Sequence, residues 1–372
     1  MRIGLIRRSH SPSGGAETYL ARFAQGLADA GHEPVLLSGP DWPPGAWPHA
    51  GHHVVPATSP LAFSQALTET LPGLPLDLTF SLERVETCDV YRAGDGLHRA
   101  WMKRIELHSR PLENWWRRRR RLHRETLRLE ESVFSNPERL FIANSQMVRK
   151  EILSCFKAPP GKVLVIPNGY DAPAPQPGAR ENARREIRIR HHLPTDAALV
   201  LFAGSGWKRK GAAIAAQAVA NLPDRQNTHL FLIGRGRLPH ALASHKRLHP
   251  IDPVPQLTRY YLAADLFVLP TLYDPFSNAC LEAAAHGVPV LTTTENGFRE
   301  VLQEFRAAGE VLPPGREPKA WSNLISTWLE PARHEAAQPD LARIREQFTM
   351  TRNVKDTIKA VETHLARKSP EG

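Results

Sequence analysis

The sequence predicts an α/β protein built from two successive, doubly wound, Rossmann-like domains. Three observations carry that expectation. Short apolar runs alternate with helical segments along most of the chain. A Pro/Gly-rich stretch, residues 171–178, divides the alternation into two series of similar size. The 372 residues are more than one ordinary core holds and suit two.

Residues 1–6 read as the first strand. Residues 16–30 follow as a helix carrying Leu20, Phe23, Ala24 and Leu27 on one face, Gly31 closes it, and 34–38 is the next strand. Strand, helix, glycine, strand is a βαβ unit, which implies parallel pairing and a right-handed crossover. Further strands are expected at 76–82, 140–144 and 163–167, the last running into Pro167-Asn168-Gly169-Tyr170. Past the linker, 199–203, 228–233, 266–269 and 288–292 read as strands with helices between them, and the pattern from Pro318 onward is helical. The domains are therefore expected at 1–170 and 171–349, with a helix at about 350–366 packing back on the first. No repeat of solenoid period appears. In such folds ligands bind beyond the carboxyl ends of the strands, so those positions carry the functional reading.

Hydrophobic residues make up 41% and charged residues 23%, the balance of a soluble globular protein. Arg7 and Arg8 interrupt the first apolar run, so no secretory signal is expected there. No apolar run approaches the ~20 residues that span a bilayer. Cys88, Cys155 and Cys280 are scattered, which fits free thiols in a reducing cytoplasm. The 17 histidines form no H-E-x-x-H set and no Asp-x-Asp occurs, so no metal is expected. The net charge of +10 suggests an anionic partner: nucleic acid, a membrane surface or a phosphorylated substrate.

Three motifs fall at strand ends. Gly14-Gly15-Ala16-Glu17 lies between the first strand and helix. Its glycines let a ligand approach the backbone, and the helix N-terminus offers N–H groups to an anion. The same residues also read as a plain strand–helix turn. Gly204-Ser205-Gly206-Trp207-Lys208-Arg209-Lys210-Gly211 follows the strand 199–203. It lacks the G-x-x-x-x-G-K-[ST] order of a Walker A loop, yet Arg209 and Lys210 suit a diphosphate, one as a fork and one as a point charge. A solvated basic turn is the competing reading. The most specific motif is Tyr273-Asp274-Pro275-Phe276-Ser277-Asn278-Ala279-Cys280-Leu281-Glu282. Pro275 suits a first helical position, so a helix is expected to start just after Asp274, with N–H groups near Phe276, Ser277, Asn278 and Ala279 free for phosphate oxygens. Asp274 and Glu282 would then share one side of that helix, one reaching a sugar ring and the other a ribose diol. Asp274 reads equally as an N-cap.

The Asp274-to-Glu282 segment resembles the E-x7-E motif of retaining glycosyltransferases with the two-domain GT-B fold. Arg209-Lys210 resembles that family's diphosphate-binding pair, Gly14-Gly15 its N-terminal glycine loop, and Ile166-Pro167-Asn168-Gly169 its domain junction. The similarity runs over nearly the whole chain and is closest to enzymes that glucosylate the heptose of the lipopolysaccharide core, where Arg92-Ala93-Gly94-Asp95 also has a counterpart. One departure is Asp274, where Glu is usual. The resemblance implies two Rossmann-like domains facing across a cleft and no cofactor beyond a nucleotide-sugar co-substrate, UDP-glucose. It implies that Asp274 holds the donor sugar, Glu282 binds the ribose, and Arg209, Lys210 and the helix N-terminus stabilise the leaving diphosphate without a metal. Asp95 is an acceptor-side catalytic candidate, with an ordinary loop carboxylate as the alternative.

Residues 112–134 carry Trp115-Trp116 and five consecutive arginines, Arg117 to Arg121. On a helical wheel Leu112, Trp115, Trp116, Leu122, Leu127, Val133 and Phe134 share one arc, Arg124 and Arg128 lie opposite, and Glu130 intrudes on the apolar side. Trp115 to Arg128 is therefore expected on an anionic membrane surface, with packing on its own domain or acceptor-phosphate binding as alternatives. The functional expectation is hexose transfer to a lipopolysaccharide-core or other lipid-linked glycan, by a cytoplasmic protein peripheral to the inner face of the membrane. Its alternatives are another polysaccharide acceptor and a non-catalytic basic binding protein. Nucleic acid is disfavoured, because it accounts for the charge but not for a glycine loop and acidic motif at strand ends.

Overall fold

Strands form where apolar runs are buried on both faces, as parallel sheets require. Thr228–Ile233 is buried at every position, and Leu140–Ala143 likewise. The computed structural model of the chain describes residues 1–11, 15–109, 113, 120–173, 176–255 and 257–368. Its contacts define two units. Unit 1 comprises Met1–Asn168 together with the helix Met350–Lys368, and unit 2 is Gly169–Thr349.

Unit 1 holds seven parallel strands: β1 (Arg2–Ile6), β2 (Glu33–Ser38), β3 (Gly51–Val54), β4 (Leu78–Ser81), β5 (Val90–Ala93), β6 (Leu140–Ala143) and β7 (Val163–Val165). Their order is β3-β2-β1-β4-β5-β6-β7. Unit 2 holds six, in order β10-β9-β8-β11-β12-β13: β8 (Ala198–Ala203), β9 (Thr228–Ile233), β10 (Leu248–Ile251), β11 (Leu266–Leu269), β12 (Val290–Thr293) and β13 (Gly309–Leu312). Both are doubly wound. The winding reverses between β1 and β4 in one unit and between β8 and β11 in the other, which opens a crevice at the carboxyl ends of those pairs. Strands β3, β5, β10 and β13 escape the sequence reading. β3 and β10 are short and polar (GHHV and LHPI) because they are sheet edges.

The helix Gly15–Asp29 stops where Gly31 takes φ +82°, with His32 N–H donating to Leu27 O at 2.9 Å. Against it lies the helix Met350–Lys368, whose Val354 and Val361 join the core of Phe23 and Leu27. Gly26 makes that approach feasible, since a Cβ there would stand 2.6 Å from Val354 Cγ2. The buried Tyr19 hydroxyl donates to Asn353 Oδ1 at 2.8 Å, and Asn353 Nδ2 donates to Pro167 O.

Of the basic aromatic segment, Trp115 to Arg119 lie outside the described residues. The helix Arg121–Phe134 follows Arg120. Leu122, expected on the apolar arc, is 56% exposed, whereas Glu130, expected to spoil it, is fully buried. Its carboxylate accepts from the backbone N–H groups of His98 and Arg99 and from Arg84 Nε. The acid thus caps the neighbouring helix His98–Leu107, whose first N–H groups need acceptors.

Candidate active site

In unit 2 the reversal point brings three loops together. After β8, Gly204, Gly206 and Gly211 adopt φ of +131°, +79° and +78°. Gly204 leaves room for Lys210 to fold across it, since a Cβ would lie 2.7 Å from Lys210 Nζ. Gly211 sits against β11's end, where a Cβ would strike Pro270 O at 2.1 Å. Arg209 O accepts from Leu272 N–H at 2.8 Å and from Thr271 Oγ1 at 3.2 Å, which laces the β8 and β11 loops together.

That lacing aims both cations at one carboxylate. Lys210 Nζ stands 3.4 Å and Arg209 Nη1 3.6 Å from Asp274 Oδ2. Arg209 Nη1 also donates to Tyr273 O at 2.7 Å. Asp274 is only 6% exposed. Its backbone bridges to the loop after β12, its N–H donating to Glu295 O and its carbonyl accepting from Gly297 N–H, each at 2.9 Å.

The helix does not start after Asp274. It spans Asn278–Ala285, and Ser277 is the N-cap, its Oγ accepting from Cys280 N–H at 3.3 Å. Pro275 precedes the helix because Asp274 is held in the bridge to Asn296 and lacks helical pairing. Phe276 is buried edge-on against Phe298. Asp274 and Glu282 therefore do not share one helix face: Asp274 belongs to a loop bridge and Glu282 to the helix. Asn278 and Ala279 are its first, half-buried residues. Glu282 Oε2 accepts from Tyr261 Oη at 3.1 Å. Burial, and then Glu282 itself, holds the Tyr261 phenol well above its ordinary pKa, so it remains a donor. Burial pushes the Cys280 thiol up to about 12, which leaves it a packing group.

No motif singled out Asn296, the buried residue that ties these loops. Its Oδ1 accepts from the N–H groups of Ser277 at 3.2 Å and Phe298 at 3.1 Å, and its Nδ2 donates to Thr292 Oγ1 at 2.9 Å. The available signal was Asn296-Gly297, a turn dipeptide at the end of β12.

At the reversal point of unit 1, Arg7 follows β1. Its guanidinium meets Glu17 at 2.8 Å, and Glu83 and Asp95 at 3.6 Å each. Burial opposes the Arg7 charge, but the three carboxylates hold its pKa above the ordinary arginine value. Asp95 is thus one member of a four-residue cluster, half exposed, rather than an isolated loop acid. Gly15 begins its helix, and Gly14 lies outside the described residues. Arg7 was readable only as a cation breaking an apolar strand. Among the described residues no group of three or more His, Cys, Asp or Glu could hold a metal.

Two family models match the chain: "Glycosyltransferase Family 4" over residues 13–172 and "Glycosyl transferases group 1" over 197–331. Curated relatives include D-inositol 3-phosphate glycosyltransferases of Kineococcus radiotolerans, 28% identical over 65% of this chain and 61% of that one, and of Geodermatophilus obscurus, 29% identical over 64% and 55%. The chain spans between half and two thirds of the length of these relatives. Among solved structures, WaaG, a glycosyltransferase involved in lipopolysaccharide biosynthesis, superposes with TM-score 0.78 at 19% identity over 95% of this chain and 98% of that one. HepE of Anabaena, solved with UDP and glucose, gives 0.71 at 18% identity over 98% and 99%. Both have the fold described above.

Proposed function

The chain belongs to the group 1 and family 4 glycosyltransferases of GT-B fold, and on that footing we propose that it is a retaining hexosyltransferase that moves glucose from UDP-glucose to a lipopolysaccharide-core or other lipid-linked glycan. The observation that carries this reading is the convergence of Arg209 and Lys210 on Asp274 at the reversal point of unit 2. A diphosphate is the chemistry two such cations suit. As the bond from the anomeric carbon to the phosphate oxygen breaks, the electron pair goes to the diphosphate. Arg209 and Lys210, already oriented by the Asp274 carboxylate, stabilise that charge without reorganising, and no metal is required. Asp274 holds the donor sugar's hydroxyls, and Glu282, oriented by Tyr261, accepts from the ribose. Gly14 and Gly15 are assigned to donor binding on the sequence resemblance, and Asn278 and Ala279 supply the helix N-terminus.

Asp95 and its partners around Arg7 bind the acceptor. We assign the segment Trp115 to Arg128 to an anionic membrane surface; Leu122, within it, is exposed. No helix among the described residues is long and apolar enough to cross a membrane. Under this reading the protein works peripherally, at the cytoplasmic face.

Calorimetric titration with UDP, GDP and ADP tests the reading, repeated on Lys210→Ala. UDP is expected to bind, and loss of one charge-assisted contact should weaken it by about tenfold or more. A folded protein that binds no nucleotide, or a Lys210→Ala variant with unchanged affinity, would overturn it.

A further inference from the structure

The helix Asn278–Ala285 carries Glu282 and is closed by the two residues that follow it, His286 and Gly287. Gly287 takes φ +77°, its N–H donates to Ala284 O at 2.9 Å, and the N–H of Val288 donates to Ala283 O at 3.0 Å. This termination places His286 at the C-cap, about one turn beyond Glu282 and on the same side of the helix. From there His286 reaches Glu282 by two routes. The first is through the main chain. The N–H and the ring Nδ1 of His286 both meet Glu282 O, at 3.1 and 2.7 Å. A carbonyl only accepts, so Nδ1 carries the ring proton and Nε2 the lone pair. Burial holds the His286 pKa below its ordinary value, which keeps the ring neutral.

The second route runs through rings. The His286 imidazole stacks on Tyr261, with centroids 5.3 Å apart and planes 19° from parallel. Tyr261 is the phenol whose Oη donates to Glu282 Oε2 at 3.1 Å. Tyr170 lies against the same imidazole, 5.6 Å between centroids, and is itself pinned by its N–H to Phe348 O at 2.8 Å. All three rings are buried. His286 Nε2 is buried too and meets no hydrogen-bond partner among the described residues, so on that side the ring serves as a flat surface. A carboxylate has lone pairs for about four hydrogen bonds, so one phenol donor fixes its plane and leaves capacity for the hydroxyls of a ribose.

We infer that His286 is the positioning residue for Glu282, and that it sets the donor site's preference for ribose over deoxyribose from one turn behind the carboxylate that contacts the sugar. Nδ1 holds the main chain of Glu282, and the ring braces Tyr261, which holds the carboxylate. A ribose offers that carboxylate a second hydroxyl that a 2′-deoxyribose lacks. A carboxylate left to rotate must be ordered on binding and loses much of the second bond. The inference rests on the reading of Glu282 as the ribose contact, and its test separates the failure of one from the failure of the other.

The test titrates the full chain with UDP and with 2′-deoxy-UDP, on the wild type and on His286→Ala, His286→Phe, Tyr261→Phe and Lys210→Ala. The wild type is expected to prefer UDP by about tenfold or more, as for one hydrogen bond to a charged group. His286→Ala removes both the ring and Nδ1 and should cut that preference to about threefold or less, chiefly by weakening UDP. Tyr261→Phe should do the same while keeping the ring stack, so it serves if His286→Ala does not fold. His286→Phe keeps the flat surface and should keep most of the preference. Lys210→Ala should weaken both nucleotides by a common factor and leave their ratio unchanged. A merely structural His286 would lower the urea midpoint without moving the ratio. A preference that survives in Tyr261→Phe or in folded His286→Ala, or one that His286→Phe loses as fully as His286→Ala, would overturn the proposal. A wild type that binds both nucleotides equally would overturn the ribose role of Glu282 and the proposal with it, whereas a wild type that binds neither would overturn the donor reading itself.

Discussion

The two reversal points occupy the same place in the same kind of sheet and carry opposite charge balances. In unit 2, two cations meet one carboxylate, Asp274. In unit 1, one cation, Arg7, meets three carboxylates, Glu17, Glu83 and Asp95. Topology fixes where a ligand binds, and the side chains fix which kind. The first site has charge to spare for an anion. The second has acceptors to spare for hydroxyls. A donor with a diphosphate and an acceptor rich in hydroxyl groups fit these two balances.

The comparison breaks most sharply at Arg7. Arg7→Ala leaves three carboxylates facing one another in a largely buried site and should cost about 3 kcal/mol, read as a lowered urea midpoint. A variant as stable as the wild type would mean that the cluster is solvated and its charge balance incidental. The corresponding lesion in unit 2 is smaller, because Asn296 is neutral. Asn296→Ala strands the N–H groups of Ser277 and Phe298 and should cost about 2 kcal/mol, with donor affinity falling alongside. Unchanged UDP affinity in that variant would detach Asn296 from the site.

A further effect concerns pH, where the two units agree. His98 in unit 1, close to His123, is depressed to about 4 by burial and then by Arg84 and His123. His249 in unit 2, close to His229, is depressed to about 4 by burial and then by His229 and His191. Each folded pKa lies below the unfolded value of about 6.5, so the unfolded chain binds more protons between them. Stability from these groups is complete above about pH 6.5 and is lost as pH falls toward 4. Urea midpoints at pH 7, 5.5 and 4.5 should decline, and His249→Phe should flatten the decline. A midpoint that rises on acidification would refute the sign.

Most of this architecture was legible where burial is two-sided. Strands such as Thr228–Ile233 announce themselves because both faces are apolar. The edge strands β3 and β10 are quiet because one side of each needs no partner, whereas the interior strand β5 is only four residues long and carries Arg92 in its run. In unit 2, the neighbourhood of Arg209, Lys210 and Asp274 was legible, because each motif falls at a strand end. Their geometry was less so. Pro275 mimics a helix start, but the backbone of Asp274 is already engaged by Glu295 and Gly297, a pairing about twenty residues away that no local pattern encodes. Glu130 was misjudged for the same reason: its partners, His98 and Arg99, sit on another helix.

The helix Met350–Lys368 has a temporal meaning as well as a spatial one. It completes the core of unit 1 against Phe23 and Leu27, yet it is synthesised only after the whole of unit 2. On the ribosome, unit 2 has all of its sequence first, while the Gly15–Asp29 helix waits with an apolar face uncovered. A segment translated before unit 2 is therefore sealed only after it, and a nascent chain stalled within unit 2 would present that face to chaperones.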